Sequence, residues 1–376
     1  MSTIPETKLA AVCDDNFKCS IKSLPVVRKL GPSQILVKVV SAAGNPTDWK
    51  HVAYKMAGIN SVIGCDLSGI VVEVGSEVAQ NSSFKVGDHV FSMVHGCSRA
   101  FPNNGAFAEY AVLDSNLTFK HPKGLKLNGE NVPGGPITTF EGASSINVGL
   151  LTAGLAIGFE MFRKIPTEKV NSPLLIWGGA TSFGQCAIQL AKIFNVFSEI
   201  IVVASSKHES HLKSLGADKL FDYNDENVIQ NIKSYTNNKL AYIIDGVANH
   251  QTVVQCNAIA SDTLPVHIIE LTFLNENDVP ENERKSNVKF TITFLYWAGG
   301  YDVDMGIAKL PARPEIREFL ISFVKYIQPY VIDGTIKHIP VTLVPGGLNK
   351  VSELLDDIQN GKNSGEKYVI NVVDKI

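Results

Sequence analysis

Residues 173–206 read "PLLIWGGATSFGQCAIQLAKIFNVFSEIIVVASS". A short apolar run ends in a glycine-rich turn, a helical pattern follows, and a second apolar run closes the unit. That order is a βαβ unit, the building block of a parallel, doubly wound sheet. Beyond it "KHESHLKSLGA" continues as a helix, and "KLFDYN", "YIIDGVA" and "VHIIELT" read as further strands. The fold class is therefore α/β, with a doubly wound parallel sheet.

A strand before the glycine turn and a helix after it are the context in which such a turn holds a dinucleotide. Backbone N–H groups and the helix dipole face a pyrophosphate there, and the missing side chains let it approach. Gly178, Gly179, Ala180, Thr181, Ser182, Phe183 and Gly184 are the candidate contacts. With Gly178 and Gly184 as the first and third glycines, Thr181 stands at the middle position. Its hydroxyl, with that of Ser182, offers phosphate a donor in place of open space. The alternative is a glycine-rich turn with no ligand. At the end of the second strand, "VVASSKHES" supplies Ser205, Ser206, Lys207 and His208 but no carboxylate for a ribose 2′-hydroxyl. Hydroxyls and a cation accommodate a 2′-phosphate, which predicts NADPH rather than NADH. Lys207 reads equally as a solvated charge at a helix start.

The N-terminal third follows a different grammar. "QILVKVVSAAG", "SGIVVEVGSEV", "GDHVFSMV" and "AFAEYAVL" are β-branched runs broken by turn residues, the pattern of a small barrel-like β domain. Alternation at Ile35, Val37 and Val39 predicts a half-buried strand. "EGASSINVGLLTAGLAIGFEMF" reads as a buried helix, and "NENDVPENERKSN", at 275–287, as an exposed loop. The tail, a helix "EIREFLISFVKYIQPYVIDG", the run "IKHIPVTLV", a helix "LNKVSELLDDIQNG" and a strand "EKYVINVV", is expected to return to the N-terminal domain.

The 376 residues fit two domains, and a formal charge of −3, from 34 basic and 37 acidic residues without a basic stripe, argues against nucleic acid. A small-molecule substrate is the expected partner. No secretory signal or membrane span is visible, so a cytoplasmic protein is expected. Cys13, Cys19, Cys65, Cys97, Cys186 and Cys256 form no C-x-x-C pair and are read as reduced thiols. His51, His89, His95 and His121 follow no metal-ligand spacing and are read as surface or satisfied core residues.

In order along the chain, "LGPSQILVKVVSAAGNPTDWK", "GCDLSGIVVEVGSEV", "VGDHVF", "GAFAEYAV", "LLTAGLAI", "GGATSFGQCAIQLAK" and "LKSLGADKLFDY" resemble the medium-chain dehydrogenase/reductase superfamily. "NPTDWK" and "WGGATSFG" are most similar to its zinc-independent quinone oxidoreductase and enoyl reductase branch, in particular the fungal trans-acting enoyl reductases. The resemblance implies a GroES-like β-barrel catalytic domain over residues 1–145, a Rossmann domain over 146–300, and a segment 301–376 that completes the catalytic domain. It implies a cofactor in the cleft between the two, with Asn45, Asp48 and Lys50 near the nicotinamide, Thr152 on the other side and Tyr223 against a ribose. Metal-bearing members carry a cysteine where this chain has Asn45 and a His-Glu pair where it has Cys65 and Asp66. Asn45 is a poor zinc ligand, so no metal is expected.

Without zinc, charge developing on a substrate oxygen must meet hydrogen-bond donors or a cation. Lys50 and Tyr54, in "PTDWKHVAYK", are the candidate catalytic residues, Lys50 at an enolate oxygen and Tyr54 as a proton donor. Lys50 reads equally as a phosphate or ribose contact, and Tyr54 as a packing aromatic. "HGCSRAFPNNGAF", at 95–107, is expected to shape the substrate pocket. The leading expectation is NADPH-dependent reduction of an activated double bond in an α,β-unsaturated carbonyl, a quinone or an enoyl thioester. Aldehyde reduction and a cofactor-binding protein with little catalysis are the alternatives. Relatives include monomers and dimers, and no segment for docking to a synthase is visible.

Overall fold

The computed structural model describes residues 4–373 and 375. The chain forms two compact units, residues 1–148 with 296–376 and residues 149–295.

In the second unit six parallel strands lie in the order Lys219–Phe221, Ile200–Val203, Leu174–Trp177, Tyr242–Asp245, Val266–Glu270, Val288–Ile292. The chain starts at Leu174–Trp177, runs outward to one edge, and returns to the other side of the starting strand. The glycine turn therefore lies at the point where strand order reverses, the place where open α/β sheets bind ligands. Leu175, Trp177, Ile201, Val203, Ile243 and Ile268 fill one face of the sheet against Cys256 and Ile259 of the helix His250–Ile259. These strands are apolar on both faces, as sheets covered on both sides require.

The first unit holds a seven-stranded sheet and a hairpin, Thr7–Cys13 with Cys19–Pro25. Its central strand Gln34–Ala43 pairs antiparallel with Asp66–Val74, with Tyr110–Asp114 and with the C-terminal strand Lys367–Asn371. Ile35, Val37 and Val39 enter one core cluster, while Leu36 packs with Val26 and Val112 in another. The strand is thus covered on both faces rather than one. Two register shifts, at Leu36/Val37 and Val39/Ser41, bring Ala43 opposite Asp66 on one side, and the tail strand brings Val369 opposite Ala43 on the other. Counting on from these pairs, Lys367 comes level with Asn45.

The segment read as one helix forms Phe140–Ser144 and Asn147–Gly154, then a wider π-helical stretch Leu155–Met161. The polar 275–287 segment makes two 3-10 turns, Glu276–Asp278 and Glu281–Glu283, between which Val279 is buried. All six cysteines are free thiols, five of them buried. Among the described residues no helix is long and apolar enough to cross a membrane.

Candidate active site

The glycine turn fits a dinucleotide. Gly178 sits at φ +81°, and a Cβ at Gly184 would meet the Gly178 carbonyl oxygen at 2.3 Å and the Gly179 Cα at 2.8 Å. Only glycine lets turn and helix approach so closely. The Thr181 hydroxyl donates to Gly178 O at 2.8 Å and accepts from Gly184 N–H at 2.9 Å. It caps the helix Ser182–Phe194, so its single proton stays inside the turn. In the first helical turn the N–H groups of Ser182 and Phe183 have no intrahelical acceptor. Thr152, on the helix Asn147–Gly154, is buried.

Ser206, Lys207 and His208 form a 3-10 turn after the strand Ile200–Val203, with Ser205 just before it. The strand end itself lacks an acid, but the neighbouring strand contributes one. Asp222 Oδ2 accepts from Ser206 N–H at 2.9 Å. Hydrogen bonds from the backbone N–H groups of Asn224 and Ser206 hold its carboxyl down at about 2. That carboxylate lies outside the stretch in which sequence reasoning sought it, because only sheet pairing sets residues 206 and 222 side by side. Tyr223 beside it is 53% exposed.

In the first unit the helix Pro46–Ala53 begins just after the central strand. It buries Asp48, His51 and Val52 and leaves Lys50 and Tyr54 outside that buried face. The Lys50 ammonium lies over the Trp49 ring at 5.9 Å, and Tyr54, 57% exposed, packs edge-on against the same ring.

Asn45 and Asp66 are joined by a residue the sequence reading passed over. Lys367 Nζ donates to Asp66 Oδ2 at 3.0 Å, to Asn45 Oδ1 at 2.5 Å and to Gly44 O at 2.9 Å. Asn45 Nδ2 also donates to Asp66 Oδ2, at 3.0 Å, and Val148 N–H donates to Oδ1 at 2.7 Å. All three side chains are buried. A zinc ion at these positions would find one thiol, one amide and a carboxylate already paired with an ammonium. The donor set does not fit the metal. Among the described residues no group of three or more His, Cys, Asp or Glu is arranged to hold one.

Cys65 turns to another partner. Its Sγ lies 3.2 Å from the Tyr296 hydroxyl, which is 2.8 Å from Thr47 Oγ1. Thr47 Oγ1 is 3.2 Å from His51 Nδ1, and the same nitrogen is 2.8 Å from the Thr47 carbonyl oxygen. Tyr296 stacks on His95, with centroids 4.1 Å apart, and the Tyr301 hydroxyl is 3.0 Å from His95 Nδ1. Burial pushes the Cys65 thiol and the Tyr296 phenol well up, so both stay protonated. Burial, helped by His51, lowers His95 to about 3, so its ring is neutral. Burial also raises Asp48 to about 7, against hydrogen bonds from Cys65 and the Asn45 backbone that lower it.

These rings border a cavity of about 610 Å3 within the first unit, lined also by Phe101, Asn104 and Leu117. His95, Phe101, Pro102, Asn103 and Asn104 of the 95–107 segment all face it. His95, hydrogen-bonded to Tyr301, is a satisfied residue as read from the sequence, whereas His51 Nε2 is buried without a hydrogen-bond partner. No spacing in the sequence links Thr47, Cys65, His95 and Tyr296; contact between distant segments does.

Residues 31–123 match the alcohol dehydrogenase GroES-like domain, and residues 183–283 match the zinc-binding dehydrogenase family. The chain is 44% identical to the uncharacterized protein YNL134C of Saccharomyces cerevisiae, over 98% of each chain. It is 30% identical to the trans-enoyl reductase ffsC of Aspergillus flavipes, over 99% of this chain and 97% of that one. Its fold is similar to the quinone oxidoreductase from Coxiella burnetii, with a TM-score of 0.64 at 20% identity, over 98% of this chain and 100% of that one. With a GroES-like domain, a Rossmann-like domain and a glycine turn shaped for a dinucleotide, the chain belongs to the medium-chain dehydrogenase/reductase superfamily, in its enoyl reductase branch, and is an NAD(P)H-dependent oxidoreductase.

Proposed function

We propose that this protein is a zinc-independent, NADPH-dependent reductase of activated double bonds, acting on an α,β-unsaturated carbonyl, a quinone or an enoyl thioester. The observation that carries the reading is the commitment of Asp66 to the Lys367 ammonium, which takes a carboxylate away from the place where metal-bearing relatives hold zinc. Reduction of a conjugated alkene asks for hydrogen-bond donors at an enolate oxygen and a proton source. A reduced nicotinamide, when bound at the glycine turn, supplies the hydride. Asn45 and Asp48, at the start of the helix Pro46–Ala53, are read as lying near the nicotinamide, while Lys50 of that helix is the cation assigned to the enolate oxygen. Tyr54 or water is the proton source that the sequence alone suggests.

Ser205, Ser206, Lys207 and His208 support a 2′-phosphate and Tyr223 is read against a ribose; Asp222, against Ser206, favours NADH. The relatives named as trans-enoyl reductases support the alkene as acceptor. We read the protein as a cytoplasmic, stand-alone enzyme, a monomer or homodimer.

The test is oxidation of NADPH and of NADH against a panel of quinones, enals, simple aldehydes and an enoyl thioester. The expected outcome is turnover of conjugated acceptors with a lower KM for NADPH, and saturated aldehyde as the enal product. Allylic alcohol would assign the hydride to the carbonyl carbon instead. Binding of NADPH with no turnover of any acceptor would make the chain a cofactor-binding protein.

A further inference from the structure

We propose that Tyr296 is the proton donor of the reduction, recharged through Thr47 and His51. This rests on the reductase reading above and goes beyond it by naming the acid. The argument begins at His51. Its Nδ1 lies 2.8 Å from the Thr47 carbonyl oxygen, an acceptor only, so Nδ1 carries the ring proton. The same N–H faces Thr47 Oγ1 at 3.2 Å, which directs the Thr47 hydroxyl proton onward to Tyr296, 2.8 Å away. The Tyr296 oxygen then accepts from Thr47, which leaves its own proton for the Cys65 sulfur at 3.2 Å, and Tyr296 itself lines the cavity. Sulfur is a weak acceptor, and an enolate is a far better one.

The step balances as follows. Hydride from the reduced nicotinamide forms a C–H bond at the β-carbon, and the alkene electron pair moves to give the enolate. The Tyr296 O–H bond breaks, a C–H bond forms at the α-carbon, and a phenolate remains. Thr47 returns a proton to the phenolate and takes one from His51 Nδ1. His51 Nε2, which has no hydrogen-bond partner, takes one proton from water that enters as product leaves, and proton exchange with that water returns the ring to the Nδ1–H tautomer favoured by the Thr47 carbonyl oxygen. One hydride and one proton are consumed. Tyr54, by contrast, does not line the cavity, and a proton from it would have no directional path of this kind.

The experiment uses an α-substituted alkene from the acceptor panel, with NADPH in D2O. Wild type is expected to place deuterium on one face of the α-carbon. Tyr296→Phe is expected to lower kcat by about 100-fold or more, in the range of a lost general acid, with the NADPH dissociation constant unchanged. Its residual product should carry deuterium on both faces, because water then protonates the enolate. A purely structural role would not scramble the face. Thr47→Val should keep the face and slow turnover about tenfold, which tests the relay if Tyr296→Phe fails to fold. Turnover of Tyr296→Phe within about threefold of wild type with the face retained overturns the proposal, as does loss of facial selectivity in Tyr54→Phe alone. A wild type that reduces no activated alkene removes the proposal together with the reductase reading; an active wild type with an equally active Tyr296→Phe removes this proposal only.

Discussion

Asp48 shows how one residue ties the site to stability. Its Oδ2 accepts from Asn45 N–H at 2.8 Å at the start of the helix, while Oδ1 is buried with no partner. Burial raises the carboxyl from 3.8 to about 7, with Cys65, the Asn45 N–H and Lys367 opposing and Asp66 reinforcing the shift. The folded state then binds a proton that the unfolded state releases, so stability falls as pH rises through the window from 3.8 to about 7. Asp48→Asn should flatten that part of the profile in urea unfolding followed from pH 4 to 8. Asp245 and Glu270, also raised by burial, contribute a slope of the same sign, while His95 and His267, lowered by burial to about 3 and about 4, contribute the opposite one, so the Asp48 part is read as the difference between variant and wild type. An unchanged profile in the variant would mean that Asp48 is ionised throughout. Sequence reading placed Asp48 near the cofactor from resemblance; its burial and its missing partner are properties of the packed helix.

At the scale of elements, the glycine turn was the most legible part of the chain. A strand, a turn with glycines at Gly178 and Gly184, and a helix state their geometry locally, because φ at Gly178 and the contact at Gly184 depend on neighbours within a few residues. Thr181 was read as a phosphate donor and proves to be the helix cap, since its hydroxyl proton already has the Gly178 carbonyl. Gly184→Ala should force the helix away from the turn, with a stability loss of about 1–3 kcal/mol and at least tenfold weaker binding of dinucleotide. Thermal unfolding and a fluorescence titration with NADPH check both, and undiminished affinity would separate the turn from the cofactor. The acid Asp222 escaped the same local reading because it arrives from the next strand.

Across the whole molecule, Lys367 carries a connection between distant parts of the chain. It lies 301 residues from Asp66 in sequence and 3.0 Å from it in space, both side chains buried. A buried carboxylate whose cation is removed is left uncompensated, so Lys367→Met should cost about 3–5 kcal/mol in urea unfolding. Replacing both, Lys367→Met with Asp66→Asn, should recover part of that loss, since no unpaired charge remains. Equal losses in the single and double variants would show that the pair is not coupled.

The sequence by itself determined the α/β plan, the position of the glycine turn and the absence of the cysteine that metal-bearing relatives carry at Asn45. Those features depend on short-range periodicity, on glycines whose backbone has few alternatives, and on residue types at recognisable positions. Only the tertiary structure decided what occupies the Asp66 carboxylate, that His51 Nε2 is left without a hydrogen-bond partner, and that Thr47 and Cys65 share hydrogen bonds with Tyr296. Those facts follow from sheet register and side-chain packing, in which segments hundreds of residues apart fix one another's partners and no local pattern records the meeting.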